Sequence, residues 1–201
     1  MKEKILDVIR HGEPVGGKRY RGQIDDPLSD KGWKQMFDAV GDYNNWDIIY
    51  SSPLVRCQAF ASELAKTLGL ELVIDNRFKE IGFGEWEGKT AVEIAQSDAE
   101  KIQRFWMFPD ENRPQNAESL LDFQKRIFSG FENILNNEKS ERVLLVAHAG
   151  VIRMMLAYVL KMELGAVFRT EVANASITRF RISNTENGWL PRLVSHGATL
   201  K

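Results

Sequence analysis

The chain has 201 residues, 43% of them hydrophobic, enough to bury the core of one large domain or of a domain with a modest insertion. Its 27 Lys and Arg against 28 Asp and Glu leave a formal net charge of -1, which offers no global basic field for nucleic acid or an anionic membrane. The single cysteine, Cys57, excludes an internal disulfide framework and suits a reducing cytosol.

Met1 to Lys4 leads to a short apolar run and then to charge, unlike a signal peptide. Ile5 to Ile9 reads as a buried strand, and Gly12 marks where the chain turns after Arg10-His11. A glycine-rich polar loop follows, from Gly16-Gly17 through Arg21-Gly22 to Asp26-Pro27. Ser29 is placed as the N-cap of a helix carrying Trp33, Met36, Phe37 and Val40 at helical spacing. Trp46 to Tyr50 is the next strand. Ser51-Ser52-Pro53 opens a second helix, with proline near its first position, which passes Arg56 and stops at Gly69.

Leu70 to Ile74 is a short third strand. Residues from about 80 to 116 are irregular and aromatic, and are predicted to be a helical insertion or lid whose Phe83, Trp86, Phe105, Trp106 and Phe108 pack the segment itself. A helix spans roughly 119 to 136 on an apolar side built by Leu120, Leu121, Phe123, Ile127, Phe128, Phe131 and Ile134. Val143 to Ala147 is a strand ending at His148-Ala149-Gly150, and a helix runs from about Val151 to Leu160. His148, Gly150 and Arg153 interrupt that long apolar stretch, so it is no membrane span. Ser176 to Ile182 and Leu190 to Val194 are the final strands. Strands alternating with helices predict an α/β fold: a three-layer α/β/α sandwich with a mostly parallel central sheet.

Two strand ends therefore carry histidines, one beside an arginine. In open α/β sheets that end is where ligands bind. A neutral imidazole is a nucleophile, and arginines spread their charge over phosphoryl oxygens, so the pair points to a phosphate site.

These residues stand in a longer series. Arg10-His11-Gly12-Glu13, Asp26-Pro27-Leu28-Ser29, Ser51-Ser52-Pro53-Leu54-Val55-Arg56, Glu80 to Gly88, Ala147-His148-Ala149-Gly150-Val151 and Asn174-Ala175-Ser176-Ile177 follow one another across nearly the whole chain. The series resembles the histidine phosphatase superfamily, the phosphoglycerate mutase-like family. The resemblance implies one histidine phosphatase domain over 1–201, with His11 as the phosphorylated nucleophile. It implies that Arg10, Arg56 and His148 hold the transferring phosphoryl group and that Glu80 is the proton donor, with Glu85 and Glu87 as alternatives. Arg21, Gly22, Gly17 and Ala149 are the further expected substrate contacts. Pro14 and Gly17 depart from the family pattern, which has Thr or Ser and an Asn at these places.

The resemblance implies a metal-independent phosphomonoesterase without cofactor, acting on a small phosphorylated metabolite. Phe83 to Gly88 and the compact insertion are similar to the branch of α-ribazole phosphatases, which act in cobalamin nucleotide-loop assembly, and of broad-specificity phosphatases. The alternatives are a broad-specificity acid phosphatase, a cofactor-dependent phosphoglycerate mutase, and a catalytically silent phosphate-ligand-binding protein. A cytoplasmic monomer or homodimer with no nucleic-acid or membrane partner is expected. The residue six beyond Cys57 is Glu63, so no Cys-x5-Arg phosphatase motif exists. Gly88-Lys89-Thr90 lacks the glycine and strand a nucleotide P-loop needs, because position 83 is Phe. Three histidines without short ligand spacing, and one cysteine, suggest no metal cluster. His196 lies outside every motif and is assigned no role.

Overall fold

The computed structural model describes residues 3–136 and 140–200, so the ends of the expected 1–201 unit lie outside the described residues. The first half contains β1 (Glu3–Arg10), α1 (Asp30–Val40), β2 (Ile48–Ser51), α2 (Val55–Leu68), β3 (Glu71–Ile74), α3 (Ala91–Ser97) and α4 (Lys101–Met107). The second contains α5 (Leu120–Asn136), β4 (Arg142–Ala147), α6 (Ala149–Leu160), β5 (Ile177–Thr185) and β6 (Gly188–Ala198).

The six strands form one sheet in the order β3-β2-β4-β1-β5-β6. The first four are parallel to one another, while β5 runs antiparallel to β1 and β6 antiparallel to β5. Strand alternation divides the core in two. Leu6 and Val8 of β1, with Val143 and Leu145 of β4, face α5 and α6. Ile9, Leu144 and Val146 face α1 and α2 across Met36, Val40, Cys57 and Phe60. This is the expected three-layer α/β arrangement. Among the described residues no helix is long and apolar enough to cross a membrane.

β1 is central, and its charged residue Asp7 is fully buried. Arg179 donates to both of its oxygens at 2.7 and 2.9 Å, and Trp46 Nε1 donates at 2.9 Å, which supplies the pairing a buried carboxylate requires. Ser29 caps α1 through Gly32 N at 3.1 Å, and Gly69 ends α2 in the left-handed conformation at φ 67°.

Some boundaries differ from the sequence expectation. Leu54 is the N-cap of α2, so Pro53 precedes the helix instead of opening it. α6 begins at Ala149, two residues before Val151, with His148 as an N-cap whose side chain caps nothing. β6 covers 188–198, well beyond 190–194, because an edge strand alternates exposed and half-buried positions without a continuous apolar run. Met154 and Met155 are buried in the core.

In the irregular segment, Trp86, Ile94 and Phe105 are buried. Phe105 meets the rings of Phe83, Trp86, Trp106 and Phe168 at centroid distances of 4.9 to 6.1 Å. The aromatics thus pack the segment, as expected, apart from the exposed Phe108.

Candidate active site

The register of the sheet brings the two histidine motifs together. Arg10 pairs with Ala147 across the parallel β1–β4 ladder, so the residues that follow, His11 and His148, emerge side by side. Their ring centroids are 5.2 Å apart. His11 N donates to Ala147 O at 3.0 Å, and Ala175, at φ 56°, donates its N–H to His11 O. Gly12 is required where the chain turns away: a Cβ there would lie 2.2 Å from Gly32 O of α1.

His11 Nδ1 lies 2.7 Å from Gly12 O. A carbonyl can only accept, so Nδ1 carries the proton and Nε2 keeps its lone pair. Burial pushes the His11 pKa well below 6.5, and the charges of Arg10, Arg56 and Arg21 push it the same way. His11 is therefore neutral at pH 7. His148 is likewise depressed, by burial first and then by Arg56 and the other nearby charges. Its Nε2 lies 2.7 Å from Ser52 Oγ. The Cys57 thiol packs against its ring, 3.6 and 3.7 Å from the two nitrogens, and donates to Ala147 O. Burial drives the thiol pKa upward, so Cys57 is an uncharged packing residue.

Each guanidinium is fixed by backbone. Arg10 donates to Val172 O at 2.5 Å, and desolvation lowers its pKa to about 10. Arg56 donates to Ile24 O at 2.6 Å and to Gly22 O at 2.8 Å. Arg10 Nε and Arg56 Nε are buried without an acceptor among the described residues. Buried donors are rarely left so, and two such donors beside a free imidazole nitrogen form a place for anionic oxygens.

Glu80 reaches the N-terminus of α6, where Gly150 N donates to Oε2 at 3.2 Å and Ile81 N donates to Oε1 at 2.9 Å. A Cβ at position 150 would come within 2.2 Å of Glu80 Oε1, so the glycine of the His-Ala-Gly motif makes room for the carboxylate. The carboxylate satisfies an N–H that the helix end leaves open, which explains a helix start without a Ser, Thr or Asp cap. Glu85 is exposed and ion-paired to Lys101, and Glu87 braces Gln23 N and Phe83 N. Of the three acidic alternatives, only Glu80 stands at the His148 turn.

The remaining expected contacts divide. Arg21 acts electrostatically on His11 and Arg56, but its guanidinium is bound to Asp26, Val15 O and Gly17 O. Gly17 is exposed at φ 72° and holds Arg21 through its carbonyl. Gly22 contributes its carbonyl to Arg56, and Ala149 is the buried first residue of α6. Pro14 forms an isolated bridge with Leu28 that closes the loop.

Other residues at the site were not singled out by the sequence. Three successive carbonyls each accept from a basic side chain: Thr170 O from Arg153 Nε at 2.8 Å, Glu171 O from His196 Nε2 at 2.7 Å, and Val172 O from Arg10. His196, assigned no role from sequence, is thus a brace under the arginine, steadied on its other nitrogen by Thr178. The i, i+3 spacing from Gly150 was a usable signal for Arg153, and Ser52 lay within a recognised motif. Nothing local marked His196.

The two buried histidines make stability pH-dependent. Unfolding releases them to titrate near 6.5, while in the folded protein they stay neutral to well below that value. Their stabilising contribution is therefore full above pH 6.5 and is lost as pH falls toward the folded values. The slope reaches about 2.7 kcal/mol per pH unit where both differ. Urea unfolding from about pH 7.5 to about pH 5.5 should show a steeper loss in the wild type than in a variant with both histidines replaced by Gln. Equal slopes would refute it.

The family model of the histidine phosphatase superfamily (branch 1) matches residues 6–200. A bifunctional protein of Mycobacterium tuberculosis is 32% identical over 182 residues, covering 87% of this chain and 50% of its own length. The chain thus spans about half of that relative. Phosphoserine phosphatase 1 of Hydrogenobacter thermophilus is 30% identical over 188 residues, covering 90% of this chain and 88% of that protein. Among solved structures, the mycobacterial glucosyl-3-phosphoglycerate phosphatase with inorganic phosphate superposes with a TM-score of 0.86 at 26% identity, covering 98% of each chain. The α-ribazole phosphatase of Shigella flexneri gives a TM-score of 0.79 at 23% identity, covering 97% of this chain and 98% of that one, and shares the fold.

Proposed function

Since the chain belongs to the histidine phosphatase superfamily (branch 1), we propose that it is a metal-independent phosphomonoesterase working through a phosphohistidine on His11. One observation carries this reading. The free Nε2 of a neutral His11 sits among Arg10 and Arg56, whose buried Nε–H donors have no acceptor among the described residues.

In the proposed reaction, His11 Nε2 attacks phosphorus as the P–O ester bond breaks, and Glu80 gives a proton to the departing oxygen. The Glu80 carboxylate then takes a proton from water, whose oxygen attacks phosphorus. The P–N bond breaks, returning neutral His11 and inorganic phosphate. Arg10, Arg56 and His148 hold the three phosphoryl oxygens while charge spreads over them. Each preorganised donor of this kind contributes on the order of 3 kcal/mol. Ser52 keeps the His148 ring oriented.

The substrate is read as a small phosphorylated metabolite. Support comes from relatives named for phosphoserine and glucosyl-3-phosphoglycerate. The α-ribazole phosphatases lend their fold and not their substrate, so α-ribazole 5′-phosphate enters as one arm of the test. Phosphate release should be measured with EDTA present on that ester, phosphoserine, 3-phosphoglycerate, glycerol 3-phosphate and p-nitrophenyl phosphate. Turnover of at least one ester, undiminished by EDTA, is the expected result. Isomerisation of 3-phosphoglycerate without release would make the chain a mutase. Binding without either reaction would make it a silent phosphate receptor.

A further inference from the structure

Arg153 and Arg21 are guanidiniums near the site that the proposed chemistry does not use, and Arg21 is already bound to Asp26, Val15 O and Gly17 O. Arg153 lies three residues after Gly150 on α6, on the same helix face as the N–H that holds Glu80. Its Nε is fastened to Thr170 O, two residues from the carbonyl that fastens Arg10. Its charge is felt by Arg10, and in turn it feels Glu80 and Tyr20. The guanidinium carbon lies 5.8 Å from the Trp106 ring centroid and 5.7 Å from that of Phe168. Those two rings meet edge to face at 5.3 Å.

Arg77, Arg104, Arg126 and Arg179 each have a carboxylate partner within the chain. Arg153 has none among the described residues. Its two Nη atoms make no hydrogen bond there, yet they are not among the donors sealed from solvent. A half-buried cation is thus held at one nitrogen, flanked by aromatic rings, with its fork left open. A guanidinium fork fits a planar, two-oxygen anion.

We propose that Arg153 is a substrate-binding residue that receives a carboxylate carried by the same molecule whose phosphoryl group is seated on Arg10, Arg56 and His11. The enzyme's preferred substrates are then small phosphomonoesters bearing a carboxylate. A single added cation beside the Glu80 carboxylate matches a monoanion. A second phosphate would bring excess negative charge against Glu80. The proposal rests on the phosphatase reading for its catalytic consequence but not for its binding consequence, and the experiment separates the two.

Wild type and Arg153→Met are compared on 3-phosphoglycerate and glycerol 3-phosphate, which differ by a carboxylate in place of a hydroxymethyl group. The wild type should favour the carboxylated ester, and Arg153→Met should lower kcat/KM for it roughly 10- to 100-fold more than for its partner. Arg153→Lys, which keeps charge without the fork, should fall between. Equal losses on both esters would mean a structural role and overturn the proposal. Calorimetry on His11→Ala, with and without Arg153→Met, reads binding of the same two esters without turnover. A carboxylate preference lost with Arg153 upholds the proposal even if no ester is hydrolysed by the wild type. Equal affinities for the two esters, or tighter Arg153-dependent binding of glycerol 1,3-bisphosphate than of 3-phosphoglycerate, would overturn it.

Discussion

His11→Ala should release no measurable phosphate from any ester the wild type hydrolyses, a loss of roughly a millionfold, the scale seen when a covalent nucleophile is removed. The substitution deletes a strand-end imidazole whose Nε2 keeps its lone pair under the charges of Arg10 and Arg56, and no neighbour among the described residues can replace it. His148 is tied to Ser52 and Cys57, and the Cys57 thiol, pushed upward by burial, does not ionise at neutral pH. Rapid quench of the wild type into alkaline detergent with a labelled ester should trap an alkali-stable, acid-labile phosphoramidate, mapped to the peptide containing His11. His11→Ala should trap none while keeping its far-ultraviolet circular dichroism. A label elsewhere, or hydrolysis within tenfold of wild type by the folded variant, would remove His11 from the reaction.

Arg126→Ala should be the most damaging substitution outside the histidine and arginine motifs. Arg126 donates to both oxygens of Glu118, at 2.6 and 2.7 Å, and to the carbonyls of Arg77, Lys79 and Glu80. It also lies over the Phe123 ring at 4.6 Å. One side chain of α5 therefore fastens the segment that delivers Glu80 to α6. Removing it strands the half-buried Glu118 carboxylate and three carbonyls, at a cost of about 3 to 5 kcal/mol. For a chain of this size the melting temperature should drop by about 10 °C. The kcat should fall roughly tenfold or more because Glu80 loses its tether. Arg126→Lys should recover part of the stability but little of the rate, since one ammonium cannot serve five acceptors. An unchanged melting temperature with activity within twofold would refute this account.

The parts of the site legible in the sequence were those whose neighbours are close along the chain. The apolar run into Arg10-His11-Gly12 and the run into His148-Ala149-Gly150 each declare a strand that ends in a turn, because strand, turn and side chain are set by contiguous residues. The same holds for Ser29 capping α1 and Gly69 ending α2. The start of α6 was misplaced by two residues because its cap is a carboxylate from a different part of the chain. His196 looked incidental because its partner, Glu171 O, lies 25 residues away, across from the edge strand.

The ordered motifs determined that this is an α/β protein with two histidines and two arginines on strand and helix ends, the chemistry of a phosphoryl site. Sequence alone did not decide among Glu80, Glu85 and Glu87, which share one chemistry within eight residues. The tertiary structure separates their positions: the parallel β1–β4 register sets His11 against His148, and Gly150, 70 residues from Glu80, donates its N–H to that carboxylate, while Glu85 pairs with Lys101 and Glu87 accepts from Gln23 N and Phe83 N. A residue's type fixes what it can do. Which residue is in place to do it depends on contacts that form only when distant segments pack.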